Sequence, residues 1–123
     1  MGLDMFLRSR SGEKLGYWRK ANAIHGWFCR ECFTEGGENG DMNAPMVELV
    51  VPRTKALELL STVREVLEDN SLAAAKLPTV SGFFYGSVEY SDWYWQDLRD
   101  TVGILMKALE LPGEEPFIYL ADS

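Results

Sequence analysis

Apolar and polar residues alternate over residues 3–8, with Leu3, Met5 and Leu7 on one side and Asp4 and Arg8 on the other. That period of two predicts a half-buried strand, and Ser9-Arg10-Ser11-Gly12 after it reads as a turn. A hairpin follows, with its second arm over residues 13–18. Residues 19–33 then change to helical spacing. Ala21, Ile24, Phe28 and Cys32 form the apolar stripe, and Trp18, Asn22, His25 and Cys29 lie along its edge. On the same wheel Trp27 falls opposite, with Arg19, Lys20 and Arg30, which predicts an indole exposed to solvent unless a partner covers it.

Residues 34–45 show no period and carry Gly36-Gly37-Glu38-Asn39-Gly40-Asp41, so a mobile surface loop is expected there. Residues 46–51 form a β-branched run closed by Pro52, a residue that suits the first turn of a following helix. In that helix Ala56, Leu59, Leu60, Val63, Val66 and Leu67 keep a spacing of 3.6, while Lys55, Glu58, Arg64, Glu65 and Glu68 face water. Residues 71–76 add one helical turn before Pro78. Ser91 is the expected N-cap of a further helix through residue 111, with Leu98, Val102, Leu105 and Leu109 buried and Pro112-Gly113 as the stop. Residues 115–121 read as a last strand, able to pair with the first. The expected architecture is one α+β domain over residues 1–123, a small, mainly antiparallel sheet with about three helices packed on one face.

The chain has 123 residues, enough for one core and too few for two. Its 19 acids against 12 bases give a net charge of −7, which argues against general nucleic-acid binding and favours a basic partner surface. No apolar run approaches the roughly 20 residues that span a bilayer, and the N-terminus lacks the pattern of a secretion signal, so no membrane partner and a cytoplasmic location are expected. A monomer or small homo-oligomer fits this composition. Both cysteines sit in Cys29-Arg30-Glu31-Cys32, too close to staple distant segments, and suit a reducing compartment.

Between Pro78 and Trp95 the chain gathers seven aromatic residues, Phe83, Phe84, Tyr85, Tyr90, Trp93, Tyr94 and Trp95, among Ser81, Gly82, Gly86, Ser87 and Glu89. Rings offer contact area at low rotamer cost and glycines admit close backbone approach, so this segment reads as a recognition surface rather than core filling. A second cluster, Trp18, Arg19, Lys20, Asn22 and His25, holds two cations, an amide, an imidazole and an indole within about two helical turns. With the donors of Ser81, Gly82, Gly86 and Ser87 it could bind phosphate and a base, the latter stacked on Tyr85 or Trp93. The ordinary alternative makes Arg19 and Lys20 a solvated face and ties Asn22 and His25 to nearby backbone.

His25, Cys29 and Cys32 share one helical face and are weak candidates for zinc, with no second CxxC and no second histidine to complete the set. Glu89, Asp92 or Asp97 could act as general acid or base with His25 as proton carrier, but no nucleophile motif accompanies them. No cofactor is called for.

Met1-Gly2-Leu3-Asp4-Met5-Phe6-Leu7, then Tyr17-Trp18-Arg19-Lys20-Ala21-Asn22 with Ile24-His25 and Trp27-Phe28, then Pro78-Thr79 with Ser81-Gly82-Phe83-Phe84, Gly86-Ser87 and Glu89-Tyr90, span most of the chain. Together they resemble a family of small, uncharacterised phage and prophage proteins. Cys29 and Cys32 are not part of that family's pattern, which weakens the zinc reading further. The resemblance implies a phage accessory product working in the cytoplasm of the infected or lysogenic cell. Such products antagonise host immunity, either by occluding a defence protein, as anti-CRISPR proteins do, or by sequestering a nucleotide signal. The expectation is therefore a non-catalytic binder of a host defence protein, with Trp18, Trp27 and the aromatic segment as anchors. A module holding a nucleotide-like ligand is the alternative, and a small enzyme the third reading.

Overall fold

The computed structural model describes residues 2–82 and 85–123. Strands β1 (Asp4–Arg8) and β2 (Lys14–Arg19) form the expected hairpin, with Met5 opposite Trp18 and Phe6 opposite Tyr17. Then follow α1 (Asn22–Glu31), β3 (Met46–Val51), α2 (Arg53–Glu68), a 3-10 turn (Asn70–Leu72) running into α3 (Ala73–Lys76), α4 (Asp92–Leu109) and β4 (Phe117–Asp122). The sheet order is β2-β1-β4-β3, and every neighbouring pair is antiparallel. The last strand does pair with the first, and it also accepts β3 on its other flank.

Period-two alternation decides which face is covered. Leu7, Tyr119 and Leu49 lie side by side across β1, β4 and β3 and are fully buried. Their sequence neighbours Phe6, Leu120 and Glu48 form the opposite row, which is half-buried or exposed. The helices close over the first row. Ala56, Leu59, Leu60, Val63 and Val66 of α2 are buried as their spacing predicts, as are Leu98 and Leu105 of α4. Arg53, at the start of α2, donates to the carbonyls of Leu111 and Glu115 at 2.7 and 2.9 Å and lies over the Phe117 ring, fastening the α4–β4 turn. No helix among the described residues is long and apolar enough to cross a membrane.

Two expectations need correction. The first helix begins at Asn22 rather than Arg19, because Arg19 still belongs to β2 and Lys20 takes φ +56°, turning the chain before the helix starts. Trp27 is buried rather than exposed. Its ring lies edge-on to Phe28 and borders a shallow groove shared with Glu58 and Thr62 of α2 and Ala75 and Lys76 of α3, so the indole is shielded while Arg30 on the same side stays exposed. Residues 34–45 form the expected surface loop, and its middle also caps the end of α1. Asn39 Nδ2 donates to the carbonyls of Arg30 and Cys32, and the Gly40 amide donates to Cys29, satisfying carbonyls at the helix end.

His25 stands at the centre of the core. Its Nδ1 lies 2.6 Å from the Tyr119 hydroxyl and its Nε2 is 3.4 Å from the Met42 carbonyl. A carbonyl can only accept, so the neutral ring carries its proton on Nε2 and accepts a hydrogen bond from the Tyr119 hydroxyl at Nδ1. Burial holds the imidazole below its ordinary value of 6.5. The unfolded chain therefore binds this proton first as the pH falls, and folded stability is complete above 6.5 and declines below it, by at most about 1.4 kcal/mol per pH unit. Asp97, raised by burial, titrates in the opposite sense, so the informative quantity is a difference. Urea unfolding across this range should show His25→Gln losing less stability on acidification than the parent chain; equal slopes would show that His25 is not held neutral.

Candidate functional site

The two clusters meet. A cavity of about 580 Å³ opens between the end of β2 with the first turn of α1, the loop after Pro78, and the first two turns of α4. Trp18, Arg19, Lys20 and Asn22 line it from one side, Gly86, Ser87 and Glu89 from the loop, and Trp93, Tyr94, Asp97 and Asp100 from α4. Its size lies within the about 300–1,000 Å³ typical of ligand pockets.

Asn22 holds this arrangement together. The buried amide donates from Nδ2 to the carbonyls of Tyr85 and Ser87, each at 2.9 Å, and accepts at Oδ1 from the Val80 amide at 2.8 Å. Three loop groups that would otherwise seek water are thereby fixed to α1. Thr79 Oγ1 donating to Val88, and Tyr94 Oη donating to Leu77, each at 2.8 Å, tie the loop to itself and to α4. Gly86 takes φ +79° and leaves the cavity wall flush with Lys20, whose Cβ would lie 3.3 Å from any side chain added there. At Gly82 an added Cβ would fall 2.8 Å from the Tyr85 ring, so this glycine serves the loop's own packing.

The indole Nε1 of Trp18 donates to Thr101 Oγ1 at 2.8 Å, and Thr101 Oγ1 donates in turn to the Asp97 carbonyl. Trp18 is thus anchored in the core, its ring edge-on to Phe28 and Tyr119, and shows the cavity only an edge of its surface. Trp93 is the opposite case: it is 78% exposed. Next to the lining loop residues in the chain, Val88 and Tyr90 are exposed as well, with Tyr90 packed on Tyr94.

Charge is unevenly distributed along the walls. Arg19 leans on Asp4 at 3.6 Å, and the same carboxylate accepts the Tyr17 hydroxyl at 2.6 Å, which raises the phenol above its ordinary value. Asp100 accepts from Gln96 at 2.8 Å. Asp97 has no hydrogen-bond or ion-pair partner for its carboxylate among the described residues, and burial, with the Asp100 charge adding, pushes it up to about 7. Lys20 likewise has no ion pair among the described residues. Glu89, Asp97 and Asp100 therefore outnumber the one cation not already matched.

Several expected site residues lie elsewhere. His25 is buried behind the cavity and does not line it, so it is not beside Glu89 or Asp97. Tyr85 is turned inward, edge-on to His25 at 5.3 Å, with its hydroxyl buried and no hydrogen-bond partner among the described residues. Ser81 and Gly82 are exposed and outside the lining, and Trp27, buried elsewhere on α1, does not line it either. Phe84, with Phe83, lies outside the described residues. Cys29 Sγ is 3.8 Å from His25 Nε2, yet no group of three or more His, Cys, Asp and Glu side chains among the described residues is placed to hold a metal ion. Burial pushes both thiols up to about 12, away from the thiolate that zinc or redox chemistry uses.

Asp97 and Asp100 did not stand out as binding residues. The signal was their spacing from Trp93, at four and seven positions along a helix that the sequence does predict, which sets all three on one face. No family model, curated protein or solved structure matches this chain.

Asn22→Ala should lower unfolding stability by about 2–3 kcal/mol, since three buried partners lose their bonds, and Asn22→Asp by more, because a carboxylate would face two carbonyls. Chemical denaturation measures both; near-neutral effects would remove Asn22 from its structural role. Neither cysteine should react with a thiol reagent at neutral pH in the folded protein, and both should react in denaturant, as mass spectrometry of the adducts would show.

Proposed function

We propose that this protein is a non-catalytic binding module of phage type that antagonises a component of host defence by seating part of it in the cavity and against the exposed rings beside it. One observation supports this reading above the others. Segments some sixty residues apart, each singled out by its residue types, converge on one ligand-sized cavity with a freely presented indole at Trp93. Exposed aromatic side chains beside a preformed hollow are the usual anchors of protein recognition. The net charge of −7 adds attraction toward a basic partner and speeds encounter with it.

A second reading, sequestration of a nucleotide-like signal, draws on Arg19 and Lys20 lining the same cavity as Trp93. It is the weaker of the two. Arg19 is engaged with Asp4, Tyr85 offers no free face, and Glu89, Asp97 and Asp100 would repel phosphate. Calorimetry with cyclic and linear nucleotides separates the readings, and heat of binding there would favour the second.

The test in cells is phage plating on hosts that carry CRISPR, restriction or nucleotide-signalling defences. Expression of this chain should raise plating efficiency on at least one such host, and the folded variant Trp93→Ala with Tyr90→Ala should lose most of that effect. Unchanged defence in every host, or a double variant as active as the parent, would overturn the proposal.

A further inference from the structure

The charge pattern inside the cavity points to the chemistry of its occupant, and this inference rests on the binding reading above. We propose that the cavity receives an arginine side chain projecting from a basic segment of a partner protein, its guanidinium held by Asp97 and Asp100 and its plane laid against Trp93. Three observations converge. Trp93, Asp97 and Asp100 occupy one face of the first turns of α4 and all line the cavity. The indole is 78% exposed, so one of its faces is free for a planar cation, the geometry that favours guanidinium over ammonium. The Asp97 carboxylate is without a partner among the described residues, in a wall rich enough in apolar surface to disfavour its lone charge.

The remaining charges in the cavity are compatible with such a guest. From its own helix Asp97 meets Asp100. From β2 and the residue after it come Tyr17, Arg19 and Lys20, and from the loop Glu89. Arg19 is matched by Asp4, which leaves Lys20 alone against three carboxylates. A guanidinium would restore the balance and supply two donors in a planar fork to the paired acids. Phosphate would worsen it. Because a cation favours the ionised form of Asp97, binding releases the proton that burial retains there, and affinity should rise as the pH rises through about 7.

The test uses the full chain and a blocked peptide carrying one arginine, with its citrulline counterpart, agmatine and a cyclic nucleotide as comparison probes. Binding is read from the indole N–H resonances and from calorimetry. The arginine peptide should bind saturably and shift the Trp93 signal. The citrulline peptide and the Asp97→Asn variant should each bind about tenfold more weakly, the usual effect of removing one partner of a charge-assisted hydrogen bond. Lys20→Gln should bind more tightly, and the Asp97→Asn variant should lose the pH dependence near 7 while melting no lower than the parent.

Equal affinity for arginine and citrulline, nucleotide binding in place of peptide binding, or no binding by any probe would each overturn the proposal. Agmatine bound as tightly as the peptide would overturn the partner segment in favour of a free guanidine. In the plating assay, loss of activity in the Trp93 and Tyr90 double variant with full activity in Asp97→Asn would sink this inference alone. Full activity in both would sink the binding reading with it.

Discussion

The amide of Asn22 is the constraint on which the rest of the surface depends. A loop without strand or helix of its own must place its backbone groups somewhere, and here two carbonyls and one N–H find them on a single buried side chain. Only an amide head offers two donors and an acceptor in one plane; a carboxylate has no donor and a hydroxyl has one. Asn22 also begins α1, and α1 carries the His25, Phe28 and Cys29 side chains into the core against Tyr119. The loop is thereby tied to the rigid centre of the molecule. The exposed rings near the cavity inherit that rigidity, which lowers the entropy lost when they grip a guest.

The aromatic segment divides into two kinds of ring. Tyr85 and Tyr94 are buried, Tyr85 against His25 and Tyr94 bonded to the Leu77 carbonyl, and they fix the loop from within. Tyr90 and Trp93 are exposed. An aromatic count treats all of these alike, although the first pair serves folding and the second is free for contact. Among the described rings of the segment, those facing outward are fewer than the composition suggests.

Much of the fold was legible in the sequence because it rests on local periodicity. The alternation of Leu3, Met5 and Leu7, the 3.6 spacing from Ala56 to Val66 and the position of Ser91 before α4 each find their element within a few residues. What was not legible depends on covering from a distance. Trp27 reads as exposed while α1 is imagined alone, whereas residues of α2 and α3 come up beside its indole. Residues 34–45 have the composition of a free loop, yet Asn39 uses its side chain to cap a helix. The residue types of Arg19, Lys20, Gly86 and Ser87 suggested a shared site without showing that the two regions meet, and both that meeting and the contribution of Asp97 and Asp100 needed the direction in which α4 leaves the loop.

The place of β4 has a bearing on how this molecule is made. It lies between β1 and β3, so the middle of the sheet is filled by a strand that follows both of its neighbours in the chain. Until that strand docks, the first hairpin and β3 have no common neighbour, and the flanks of β1 and β3 that face it are bare hydrogen-bonding edges. Folding is then governed by contacts between residues more than a hundred positions apart, such as Leu7 with Tyr119, which favours slow closure over stepwise local assembly. Chaperone demand in the producing cell would be concentrated in that interval.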